Sequence, residues 1–167
     1  MLLFRPLFLV GLLAALGACG FRPLYGGTEN SAINQQLAQI QISTIKDRIG
    51  QKLHNLLLDQ FNYGGRPQKP LYNLNVRLTF STDEIGLKFT DEATRARLTL
   101  RANYFLTDNG SGEVLAEGGV RSVNNYNISD SEFARLAAEE DAKERAAREV
   151  SDEIKIRLSL YFSQRDA

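Results

Sequence analysis

The chain has no tryptophan, one histidine and one cysteine in 167 residues, and each scarcity closes a class of function. A lone cysteine, Cys19, leaves no partner for an internal disulfide and no cysteine cluster for a metal. With His54 the only imidazole, a metal site of the usual nitrogen and sulfur ligands has too few donors. A Ser-His-Asp triad would need His54, yet no Gly-x-Ser-x-Gly elbow accompanies it. His54 also falls beside the core positions Leu53 and Leu57 of an expected helix, where packing or a boundary role accounts for it. Phosphate-cradling glycine loops are missing, since Gly110-Ser111-Gly112 lies between strands and not before a helix. The sequence thus predicts no catalytic residue, no metal and no cofactor. Charge of one sign is not in excess: 20 basic residues face 20 acidic ones. A neutral chain exerts no broad attraction on nucleic acid, so any anion binding must be local.

Long apolar runs are confined to the beginning. Residues 1–18 carry one charge, Arg5, and an apolar or glycine run over 7–16. That run has about the length of a signal-peptide core and is too short to span a bilayer. Leu16-Gly17-Ala18-Cys19 follows at once and resembles a lipobox. Small residues ahead of the cysteine let the chain enter a narrow peptidase site, and the Cys19 thiol becomes the acylation point. An ordinary signal peptide with a cysteine nearby, or a single membrane anchor, is the competing reading. A lone thiol in an oxidising compartment is a liability unless it is used. An Asp after the cysteine favours inner-membrane retention in enterobacterial lipoproteins, so Gly20 resembles an outer-membrane address. Without Arg5 the remainder has 19 basic against 20 acidic residues.

The expected organisation is a signal peptide over 1–18, a lipidated tether over 19–31 and one domain over 32–167. A short strand is expected within 38–43, where Ala38, Ile40 and Ile42 share a face. Thr44 and Asp47 read as a capping-box start. Ile45, Ile49, Leu53, Leu56, Leu57 and Phe61 then recur at helical spacing until Gly64 and Gly65. From Tyr72 the period is two: Tyr72, Leu74, Val76, Leu78 and Phe80 point one way, Asn73, Asn75, Arg77, Thr79 and Ser81 the other. A second alternating run covers 94–106, with Ala96, Leu98, Leu100, Ala102, Tyr104 and Leu106 on one face. Asp108-Asn109-Gly110 is a turn signal, and a last strand over 113–124 carries Gly118-Gly119, expected to bulge or bend. Ser129 with Glu132, and Ile128 with Phe133, read as a capping box and hydrophobic staple. The helix they open runs to about residue 161 with the stripe Ala142, Ala146, Val150, Ile154, Leu158 and Tyr161. The order β-α-β-β-β-α gives an α+β fold, a two-layer sandwich with two helices packed on one face of a four-stranded sheet.

The other face of that sheet is polar. Arg95, Arg97 and Arg101 project from one side of one strand, with Arg77 near them on its neighbour. Aligned guanidinium groups bind phosphate or carboxylate through paired hydrogen bonds. Such a face is either an ordinary solvated surface, an anion-binding surface, or a surface for a partner whose wall is also polar.

Three stretches carry a family likeness. Ala18-Cys19-Gly20-Phe21-Arg22-Pro23-Leu24-Tyr25-Gly26 resembles the start of the alphaproteobacterial branch of the lipopolysaccharide-assembly lipoprotein family LptE. The strand over 98–106 with its Asp-Asn-Gly turn is similar to the central hairpin of that family, and Val120-Arg121-Ser122, Tyr126 and a capped long helix complete the pattern. The resemblance implies an outer-membrane lipoprotein, facing the periplasm, that plugs and helps assemble the β-barrel LptD during delivery of lipopolysaccharide to the cell surface. It also implies contact with lipopolysaccharide, at positions that here correspond to Lys88 and Arg135, and Arg95, Arg97 and Arg101 of the polar face are further candidates for that contact, unless each is simply an exposed basic residue. A lipoprotein that binds a lipid or glycolipid without a barrel is the alternative.

Overall fold

The structure, a computed structural model, describes residues 28–87 and 93–165. Residues 32–167 form one compact unit. The elements are α1 (Thr28–Ala38), β1 (Ile40–Ile42), α2 (Arg48–Phe61), β2 (Tyr72–Leu87), β3 (Ala93–Asp108), β4 (Val114–Asn127) and α3 (Glu132–Arg165). The sheet has four strands in the order β1-β2-β3-β4. β1 runs parallel to β2, whereas β2–β3 and β3–β4 are antiparallel hairpin neighbours. A parallel pair needs a crossover, and α2 supplies it. The α+β expectation holds, with α1 added ahead of β1.

Period two along β2 and β3 builds the core. Tyr72, Leu74 and Val76 of β2, and Ala96 through Leu106 at every second position of β3, are buried under the helices. Phe80 of the same β2 face is 53% exposed, because the hairpin continues beyond the helical cover. From α2, Ile49, Leu53, Leu57 and Phe61 meet that face; from α3, Ala142, Ala146, Ala147, Val150, Ile154, Leu158 and Phe162 do so. The expected stripe of α3 thus ends on Phe162 and not on Tyr161, which is only half-buried. Fully burying each large apolar side chain stabilises the fold by about 1.5–3 kcal/mol.

Both expected capping boxes are replaced. Asp47 precedes α2 with φ 70° and makes no side-chain cap bond, and Ile45 packs over Gly50 instead. A Cβ at Gly50 would stand 2.8 Å from Ile45 Cγ2, so only glycine lets the chain fold back here. At α3 the Ala134 N–H donates to Ser131 Oγ at 3.4 Å, two residues later than expected. Phe133 is 83% exposed, so it makes no staple with Ile128. The end of α2 is fastened by Asn62, whose Nδ2 donates to the carbonyls of Ala38 (3.2 Å) and Ile40 (3.3 Å). His54 Nδ1 lies 3.3 Å from the Ser43 carbonyl oxygen, a boundary position.

The bend expected at Gly118-Gly119 sits elsewhere. The register slips between Leu106–Ala116 and Thr107–Val114, which leaves Leu115 as the extra residue. Gly118 instead pairs with Tyr104, and a Cβ there would lie 2.7 Å from the Tyr104 hydroxyl. The buried ring crosses the glycine, so Gly118→Val should expel it and cost about 1–3 kcal/mol, as overpacking does. Urea unfolding measures this; an unchanged midpoint would show that the ring has room to move. At the β3–β4 turn, Asp108 Oδ1 accepts the N–H groups of Gly110 and Ser111, each at 2.8 Å. These bonds, that from Ser111 foremost, hold the Asp108 carboxyl below its usual range.

Candidate functional site

Four strands covered on one side leave the opposite side bare among the described residues, and the register fixes what it displays. Along β3 it presents Arg95, Arg97, Thr99, Arg101 and Asn103, alternating with the buried set. Asp83 of β2 and Asn125 of β4 flank Arg97, while Thr79 and Arg121 flank Arg101. Arg77, on β2 opposite Asn103, lies with its guanidinium carbon 5.6 Å from the centre of the Phe105 ring, a cation–π distance. Arg77, Arg95, Arg97, Arg101 and Arg121 are all exposed. Thr99, on the same face, is only 3% exposed.

Arg121 was not singled out by sequence alone. It stands directly across from Arg101, and like charges directly opposed destabilise a strand pair. Among the described residues, none of the five sheet arginines has a carboxylate within ion-pair distance. The helical layer behaves otherwise. Lys143 bonds Glu139 at 2.8 Å and Glu140 at 3.2 Å, Lys52 reaches Glu140 at 3.6 Å, and Arg157 bonds Glu153 at 2.7 Å. Arg145 pairs with Asp141, and Arg148 with Glu144 at 3.4 Å, as the i,i+4 spacing requires. The bond from Lys143 keeps the Glu140 carboxyl below its ordinary value.

A second polar cluster joins the layers. Ser122 Oγ donates to Glu149 Oε2 at 2.6 Å, Asn124 Nδ2 donates to Ser122 Oγ at 2.9 Å, and Arg145 Nε donates to Asn124 Oδ1 at 3.2 Å. Ser122 and Asn124 lie on the helix-facing side of β4, so the cluster fixes where α3 rests. A cleft of about 250 Å³ between α2 and α3 is lined by Arg48, Lys52, Phe80, Glu140 and Lys143. Its cations already have partners in Glu140, which leaves little free charge for an anion.

Of the anticipated positions, Arg95, Arg97 and Arg101 do come together on one face. Arg135 does not join them. It is exposed near the start of α3, and its charge acts on Tyr126, on the helix-covered side of the sheet. Burial, then Glu139, raises the Tyr126 hydroxyl above its ordinary pKa. Cys19 and Lys88 lie outside the described residues. Among the described residues no group of three or more His, Cys, Asp or Glu side chains could hold a metal ion.

The same architecture recurs in solved structures. A protein from Caulobacter crescentus described as a lipoprotein is 23% identical, with TM-score 0.64 over 80% of this chain and 97% of that one. Rare lipoprotein B of Shewanella oneidensis is 10% identical, with TM-score 0.60 over 77% of this chain and 98% of its own. Lipoprotein B of Nitrosomonas europaea is 16% identical, with TM-score 0.56 over 74% and 82%. At these identities the likeness is one of fold. No curated protein sequence matches the chain. The family model for LptE, lipopolysaccharide-assembly, matches residues 36–158, which reaches from the end of α1 through most of α3. This chain belongs to the LptE family of lipopolysaccharide assembly.

Proposed function

We propose that this protein is a lipid-anchored plug of the outer membrane, held by acyl chains on Cys19 at the periplasmic leaflet and seated in the LptD β-barrel. The family is a non-catalytic component of lipopolysaccharide assembly. The observation that carries the reading is the bare polar face. A lumen of a wide barrel is polar, so a protein that fills it must be rigid inside and polar outside. Here a closed apolar core backs a strand face of Arg, Thr and Asn. An anchor would keep the plug close to its barrel and raise its effective concentration there.

Contact with lipopolysaccharide is proposed at the end of the domain where the β2–β3 hairpin and the start of α3 lie. Lys88 and Arg135 would meet the lipid A phosphates. Phe133, 83% exposed, and Leu136, 51% exposed, flank Arg135 and offer apolar surface. That pairing of cation and exposed apolar surface also favours the second reading, glycolipid binding without a barrel.

Purification of the processed protein from solubilised membranes separates the two. The plug reading expects a large β-barrel, identified by mass as LptD, in stoichiometric amount; its absence would leave the glycolipid carrier. Lys88→Asp combined with Arg135→Asp should weaken lipopolysaccharide binding about tenfold or more, since each charge-assisted bond is worth about 1.5–3 kcal/mol. Unchanged binding, with the unfolding curve intact, would remove both residues from the site.

A further inference from the structure

We infer that the opposed pair Arg101–Arg121 is a clamp for a carboxylate side chain of the protein that covers the bare sheet face. The inference rests on the plug reading and adds to it which residues grip the wall and with what chemistry.

The first ground is electrostatic. Arg101 and Arg121 are cross-strand neighbours, on strands about 5 Å apart. Like charges on directly opposed residues repel each other, and no described carboxylate relieves them. Arg48, Arg145, Arg148 and Arg157 of the helices each meet a carboxylate, whereas all five arginines of the sheet face stand without a described one. Arg77, Arg95 and Arg97 extend the positive field along it, with Asp83 and Glu117 the only acidic residues of that face among the described residues. One carboxylate placed between Arg101 and Arg121 would accept from both and turn the repulsion into attraction.

The second ground decides the class of partner. Lipid carries its bulk in acyl chains, which need apolar cover. Of the large exposed apolar residues, Phe133, Leu136, Ile156 and Leu160 belong to α3, on the other layer, whereas the bare face carries Val123 and Val114 singly among polar side chains, with no continuous apolar surface. Around the clamp stand Thr79, Ser81, Asn103 and Asn125, side chains that hydrogen-bond to a polar protein surface. The third ground is size. The register shared by three strands, from Arg95 to Thr107 of β3, measures about 40 by 15 Å at standard strand spacings. That is roughly 600 Å², close to the ~800 Å² each side contributes to a stable interface.

The test uses full-length lipidated protein with Arg101→Glu. This single reversal turns the repulsion from Arg121 into an attraction inside the protein, so the fold should be as stable as before or slightly more so. Capture of LptD from solubilised membranes should nevertheless fall at least tenfold, while lipopolysaccharide retained by the isolated protein stays unchanged. Arg101→Lys, which keeps charge but loses the fork, should fall between. Capture undiminished by Arg101→Glu would overturn the clamp and leave the plug reading standing. Loss of lipopolysaccharide with LptD capture intact would overturn it in favour of a headgroup site. Failure of the unaltered protein to capture any barrel would overturn the plug reading and the clamp with it.

Discussion

Phe162→Ala is expected to lower the stability of the domain by about 3–5 kcal/mol, as a deleted core aromatic does, and its melting temperature by roughly 10–20 °C. Phe162 is 1% exposed near the end of α3. Its ring centre is 5.3 Å from that of Tyr72, tilted by 50°, and 5.2 Å from that of Tyr161 at 68°. Tyr72 is itself a junction. It opens β2, pairs with Ile40 of β1 and with Asp108 of β3, and donates its hydroxyl to Gln36 Oε1 of α1 at 2.9 Å. Removing Phe162 therefore strips cover from the point where α1, β1, β2 and α3 meet. Part of the loss is aromatic pairing, worth about 0.5–1.5 kcal/mol beyond burial. Tyr161→Ala is the control. Its side chain is half-buried, and it should cost about 1 kcal/mol. Equal effects of the two substitutions would mean that the stripe of α3 turns differently.

Cys19→Ser is expected to release the protein from the membrane whenever it is made in excess of the barrel proposed to hold it. Each buried methylene of an acyl chain contributes about 0.8 kcal/mol, and stable anchoring takes more than one chain. Serine offers no thiol for acylation, so that whole contribution disappears. Among the described residues no helix is long and apolar enough to cross a membrane, and the proposal assigns retention to the lipid. Fractionation should find the variant in the soluble periplasmic extract and the unaltered protein in the membrane pellet. An unmodified Cys19 thiol in the mass spectrum of the unaltered protein would end the proposal.

Strand periodicity was the most legible part of the fold. Alternation from Tyr72 and from Ala96 set which side chains are buried, because one side of the sheet is covered and the other is not. The stripe of α3 was legible as far as Leu158. Its last member was misplaced because Tyr161 and Phe162 are both aromatic, and three- and four-residue steps both keep a helix face. α1 was not anticipated. Among its described side chains, Leu37, buried, and Ile33, half-buried, are the apolar ones packed against the core, within a polar stretch. Cap positions shifted because Ser129, Ser131 and Glu132 offer competing bonds within four residues, and only packing selects Ser131.

Register was the least legible feature, and it governs the candidate site. A two-residue turn at Asn109-Gly110 would place Gly118 across from Arg101. The actual connection is longer: the Asp108 N–H donates to the Glu113 carbonyl, and Leu115 adds the slip. Together they move Arg121 into that place. The sheet arginines of β3 could be read from one strand, whereas the opposed pair exists only once two strands are aligned.

The topology also sets an order of assembly. β2, β3 and β4 follow one another and pair with their immediate neighbours, so their contacts close short loops. β1 reaches β2 only after α2 has folded between them, and over three residues alone. Local pairings form faster than distant ones. The meander can therefore collapse first, and the segment leading back toward the N-terminus is stitched on last, when the rest of the body already exists to receive it.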